Sequence, residues 1–186
     1  MHDLKGKRIA IVATDGYEQS ELEVPLARLQ ETGAEVHVVS VKPGVIKGWH
    51  HGDWSRTVDV DKLVPEVSVS DYDAIVLPGG QLNPDVLRTE PDVIRLIRAF
   101  WEQQKVVAAI CHAPWLLVEA GIVKGRNVTS YHSIRTDVIN AGGIWHDQDV
   151  VTDQGLITSR KPSDLEQFCL KIAEEIVEGR HQHRAA

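Results

Sequence analysis

Lys105-Val106-Val107-Ala108-Ala109-Ile110-Cys111-His112-Ala113-Pro114-Trp115-Leu116-Leu117 is the stretch on which the fold turns. Its first six residues are the most strand-like run of the chain, an apolar segment of the kind buried on both faces of a parallel sheet. Cys111 ends that run, and Ala113 to Ala120 reads as a helix with Gly121 as its stop. A strand passing directly into a helix is the repeating unit of an α/β domain.

The flanking sequence repeats the unit. Lys7 to Thr14 is a second buried strand, and Asp15-Gly16 a loop. Leu22, Leu26 and Leu29 have helical spacing within Glu18 to Thr32. Pro25 implies that this helix starts near it or is kinked by it. Glu35 to Val41 is the next strand. The pattern loosens from Pro43 to Ser70, where a small hairpin or edge excursion is expected. Ala74 to Leu77 restores a strand and runs into Pro78-Gly79-Gly80. Helices are expected over about Glu90 to Gln103, Ile134 to Asn140 and Pro162 to Val177. Asn127-Val128-Thr129 reads as a strand, and a hairpin is expected around Asp153-Gln154-Gly155. The sum is one α/β domain over residues 1–186, with a mostly parallel sheet covered by helices on both faces and a frayed tail from about residue 179.

The 186 residues suit a single core, and a formal charge of −7 with no evident basic patch argues against a specific nucleic-acid partner. No apolar run approaches the roughly 20 residues of a spanning helix, and the N-terminus lacks an apolar secretory core, so no membrane association is expected. Two cysteines make no disulfide framework, and a reducing cytoplasm fits them.

In open parallel sheets ligands bind beyond the carboxyl ends of the strands. Asp15-Gly16-Tyr17-Glu18, Pro78-Gly79-Gly80 and Cys111-His112 all fall there and should share one crevice. A thiol between strand and helix N-terminus is placed where a partial positive charge stabilises thiolate, so its pKa is expected to fall. The alternative is an inert core cysteine. His112 is adjacent to Cys111, and neighbouring residues on a helix do not face each other, so only a strained turn would bring the imidazole to the thiol. Glu18 is either a solvated first-turn carboxylate or, when protonated, a donor to sulfur. Gly79 and Gly80 let backbone amides approach a substrate oxygen, or simply form a tight turn. Cys169 and Trp49, Trp54, Trp115 and Trp145 read as packing in core or interface. His50, His51, His181 and His183 lack matching ligands at metal spacing. No cofactor motif is present.

Taken in order, the motifs resemble the PfpI-type intracellular cysteine peptidases of the class I glutamine amidotransferase-like superfamily. They are Asp15-Gly16-Tyr17-Glu18, Ile46-Lys47-Gly48-Trp49, Asp73 to Gly80, Ala109 to Pro114, Thr129-Ser130-Tyr131, Asp137 to Gly142 and Thr158 to Pro162. The resemblance implies a flavodoxin-like three-layer sandwich with Cys111 as nucleophile and Glu18 as its protonated carboxyl partner. It implies an oxyanion hole from the amides of Gly80 and His112. It also implies that His112 pairs in trans with Asp85 of a neighbouring subunit, hence a homo-oligomer, dimer or larger. Asp85 is one methylene shorter than the Glu of some members. Ala113 and Trp115 replace the Gly and Gln often found there, and Trp115 narrows the site against bulky peptides. Three functions follow from such a site: a stress-protective cysteine hydrolase acting on peptides, a glyoxalase or deglycase acting on methylglyoxal or its protein adducts, and a redox sensor or chaperone working through oxidation of Cys111.

Overall fold

The computed structural model describes residues 1–179. The expected frayed tail, with His181 and His183, lies outside the described residues apart from Gly179. The chain opens with β1 (Arg8–Val12), β2 (Tyr17–Glu18), α1 (Gln19–Glu31) and β3 (Glu35–Ser40). The excursion follows as β4 (Val45–His50), β5 (Asp53–Asp59) and β6 (Lys62–Leu63). Next come β7 (Ala74–Leu77), α2 (Leu82–Leu87), α3 (Pro91–Glu102), β8 (Val106–Ile110) and α4 (Pro114–Ala120). The last third holds β9 (Asn127–Val128), α5 (Arg135–Asn140), β10 (Ile144–Trp145), β11 (Val150–Asp153), β12 (Leu156–Ser159) and α6 (Leu165–Glu178).

Seven strands form the main sheet in the order β11-β12-β8-β7-β1-β3-β6. All neighbours are parallel except the β11–β12 hairpin. Alternation along each strand splits the core in two. Ala10, Val12, Ile75, Leu77, Val107 and Ala109 face α3, α4 and α5. Ile9, Ile11, Ala74, Val76, Val106, Ala108 and Ile110 face α1 and α6. This is the three-layer flavodoxin-like sandwich.

The excursion is the hairpin β4–β5, which adds β2 to make a second, three-stranded sheet. α1 does not begin at Pro25; it runs through it from Gln19. The proline ring is buried, and its missing N–H leaves the Glu21 carbonyl without its helical donor. α2, just after Gly79-Gly80, was not foreseen, because six residues are too few to show a helical period.

The strand order places the crevice. From β1 the chain moves outward to β3 and β6, then returns to β7 on the other side of β1. The connections after β1 and β7 therefore leave in opposite directions, which opens a gap at their carboxyl ends. Buried Asn83 ties the two loops there. Its Oδ1 accepts from the Thr14 N–H at 2.7 Å, and its Nδ2 donates to the Pro78 and Gly79 carbonyls at 2.8 and 3.1 Å.

Candidate active site

Cys111 sits between β8 and α4 with φ at 65°, in the left-handed region that costs an L-residue roughly 1–2 kcal/mol. Two backbone hydrogen bonds hold it there. Its N–H donates to Ser159 O at 3.0 Å, and its carbonyl accepts from Tyr131 N at 2.8 Å. This is the strained turn that adjacency on a regular helix would have forbidden. His112 Nδ1 consequently lies 3.2 Å from Cys111 Sγ. The imidazole is stacked on the Tyr131 ring (centroids 4.8 Å apart, 25° between planes) and meets the Trp115 edge at 5.4 Å. Its Nε2 lies 3.1 Å from Ser133 Oγ.

The carboxyl against the thiol belongs to Glu21, not Glu18. Glu18 caps α1, its Oε1 accepting from the Ser20 N–H and Oγ–H at 3.3 and 2.9 Å, and His50 Nδ1 is 3.5 Å away. Glu21 is fully buried one turn further on. Its Oε2 accepts the Gly79 N–H at 2.9 Å, while Oε1 is buried with no hydrogen-bond partner among the described residues. A carboxylate seeks donors on both oxygens; one bare oxygen suits a protonated acid. Burial, then the thiol's opposing pull and the nearby charge of Glu18, leave the Glu21 pKa pushed up to about 8. The sequence signal was available: Glu21, Pro25 and Leu29 follow each other at four-residue spacing on the inward face of α1.

The expected fall in thiol pKa is reversed. Burial first, and then the Glu21 carboxylate, push the Cys111 thiol well up. The backbone N–H groups of Gly80 and His112 hydrogen-bond to the sulfur and pull the other way. The desolvation cost outweighs these two amides because Cys111 is only 7% exposed. Burial, with the charge of His132, lowers the His112 pKa and keeps the ring neutral at neutral pH. A neutral imidazole beside a protonated thiol is a base within reach of its proton.

Gly79 and Gly80 are required by close approach. A Cβ on Gly79 would lie 2.5 Å from Glu21 Oε2 and 2.7 Å from Cys111 Cβ. Gly80 has φ at 79°, and a Cβ there would lie 2.5 Å from Gly16 O. Gly79→Ala is therefore expected to displace Glu21 from the thiol and destabilise the chain by about 1–3 kcal/mol, the range for overpacking. A urea titration with a thiol-alkylation rate measures both effects. Wild-type values for both would show that the contact is not tight.

Asp85 is exposed in the first turn of α2. Cys169 is buried on α6, away from the crevice. None of the four tryptophans named from sequence is fully buried; Trp54 is 46% exposed and stacks edge-on with Trp49. Sequence reasoning missed Glu21, Asn83 and Ser133.

Residues 7–175 match the DJ-1/PfpI family. The chain belongs to that family. The deglycase TK1284 of Thermococcus kodakarensis is 42% identical over 158 residues, 85% of this chain and 92% of that protein. YraA of Bacillus subtilis, whose name classes it as a candidate cysteine protease, is 39% identical over 162 residues, 87% of this chain and 94% of that protein. Among solved structures, Drosophila melanogaster DJ-1beta matches with a TM-score of 0.83 and 31% identity, covering 91% of this chain and 90% of that one. The names of this DJ-1/PfpI chain's relatives thus include both deglycase and protease. Among the described residues no helix is long and apolar enough to cross a membrane.

Proposed function

We propose that this chain is a cysteine-dependent enzyme of the deglycase type, acting on small 2-oxoaldehydes and on their adducts with amines. The observation that carries the reading is the burial of the reacting groups. Cys111 is 7% and His112 8% exposed, so a compact carbonyl reaches the sulfur more readily than the backbone of a bulky peptide. The name of the Thermococcus relative supports the same reading.

In the proposed reaction the Cys111 S–H proton passes to His112 Nδ1 as sulfur bonds to the carbinol carbon of the adduct. The C–N bond breaks and the amine leaves with a proton from the imidazolium. The resulting hemithioacetal rearranges by moving a proton from its carbinol carbon to the adjacent carbonyl carbon through an enediol. The product is a 2-hydroxy thioester, which water cleaves to a hydroxy acid and the free thiol. The oxidation of one carbon is matched by reduction of its neighbour, so no external oxidant or cofactor is consumed. The amides of Gly80 and His112 act on the sulfur and would carry the developing oxyanion. A redox-sensing role draws less support, because fast oxidation needs an exposed, low-pKa thiolate.

The test is proton NMR of the purified protein with methylglyoxal-treated N-acetyl-lysine and, separately, with unmodified peptides. Lactate is the diagnostic product, since spontaneous reversal of the adduct releases methylglyoxal alone. Lactate accumulating in proportion to enzyme, with intact peptides, is expected. Peptide cleavage without lactate would overturn the reading in favour of a peptidase.

A further inference from the structure

We infer that Ser133 is the positioning residue of the His112 imidazole, fixing the tautomer whose Nδ1 lone pair faces the Cys111 thiol. The inference rests on His112 serving as the base, and it deepens that reading by placing the orienting group within the same chain.

Among the described residues each ring nitrogen of His112 has one hydrogen-bonding neighbour: Cys111 Sγ at 3.2 Å from Nδ1 and Ser133 Oγ at 3.1 Å from Nε2. A neutral imidazole carries one proton, so one nitrogen donates and the other accepts. If the thiol keeps its proton, Nδ1 is the acceptor, Nε2 bears hydrogen, and the Ser133 hydroxyl must accept it. The donors then run in one direction, from sulfur to Nδ1 and from Nε2 to Ser133. The ring cannot escape by rotating, because Tyr131 stacks on its face and Trp115 meets it edge-on. Ser133 is brought to Nε2 by the short 3-10 turn His132–Ile134, which follows directly on Tyr131. The same backbone therefore holds the Cys111 carbonyl, the stacking ring and the hydroxyl. In serine proteases the corresponding job falls to a buried carboxylate. Here a neutral hydroxyl suffices, because burial already keeps the imidazole uncharged and the group has only to accept one N–H.

The test uses full-length protein with 15N-labelled histidine, and the His112 resonances are assigned by their loss in His112→Ala. Ser133→Val places methyl groups against Nε2 and denies it an acceptor that water would restore beside alanine. The expected result is an Nε2–H tautomer in the wild type and a shift toward Nδ1–H in Ser133→Val, with Ser133→Thr restoring the wild-type pattern. With substrate, kcat should fall about fivefold in Ser133→Val at unchanged KM, the worth of one neutral hydrogen bond, and recover in the threonine variant. An Nε2–H population unchanged by Ser133→Val would overturn the inference, as would a kcat loss equal in the Val and Thr variants. The tautomer is read without substrate, so a failure of the proposed reaction and a failure of the Ser133 assignment give separate results.

Discussion

Cys111→Ser is expected to leave the protein folded and to reduce product formation by roughly 10⁴-fold or more, as loss of a covalent nucleophile does. The exchange of sulfur for oxygen conserves shape, so packing against the inner core changes little. The turn is equally unaffected, because its φ of 65° is enforced by the hydrogen bonds to Ser159 and Tyr131, which involve only backbone atoms of residue 111. The chemistry changes completely. A hydroxyl is a far weaker acid than a thiol, and His112 holds an imidazole whose basicity is lowered by burial. That base can take a proton from sulfur in concert with attack, but is poorly matched to an alcohol. Progress curves of hydroxy-acid formation, with a thermal midpoint for each protein, separate loss of chemistry from loss of fold. Turnover in the serine variant within tenfold of wild type would remove Cys111 from the reaction.

The layout was legible in the sequence because it depends on patterns that repeat. Apolar strands ending in Asp15-Gly16, Pro78-Gly79-Gly80 and Cys111-His112 placed three loops at one end of the sheet, and the strand order puts β1, β7 and β8 side by side. What failed was the choice between side chains within a loop. Glu18 belonged to a strand-end motif and Glu21 did not, so proximity in sequence favoured the wrong carboxyl. The helix begins at Gln19, however, and its inward face at the first turn is Glu21; Glu18 is the cap and turns back to Ser20. The thiol pKa failed for a related reason. A strand-to-helix position predicts helpful dipoles, but how deeply the sulfur is buried depends on what packs over it, and Glu21 together with Gly79 packs there. The Cys111–His112 contact lies between these cases. Sequence identified the one condition under which it could form, a strained turn, and gave no way to know that residues 131 and 159 would impose it.

The buried acid makes a large prediction for stability. Glu21 in the unfolded chain loses its proton near the ordinary value of 4.5, whereas in the folded protein it holds the proton to about 8. Below about pH 4 both states are protonated and the group contributes its full share. Between the two values the folded state binds the extra proton, so stability falls as pH rises, by about 1.4 kcal/mol per unit. Above about pH 8 both states are ionised and the slope ends. The whole swing from this residue approaches about 5 kcal/mol, comparable to the entire stability of many domains. Glu21→Gln removes the ionisation while keeping an oxygen for the Gly79 N–H. The stability difference between Glu21→Gln and wild type should therefore move in the variant's favour by up to about 5 kcal/mol between about pH 4 and pH 9, and be flat outside that window. Urea titrations of both proteins at unit pH steps measure it, and the titrating groups that do not interact with Glu21 cancel in the difference. Parallel curves would mean that Glu21 ionises normally in the fold. The acid would then be an anion pressed against the thiol.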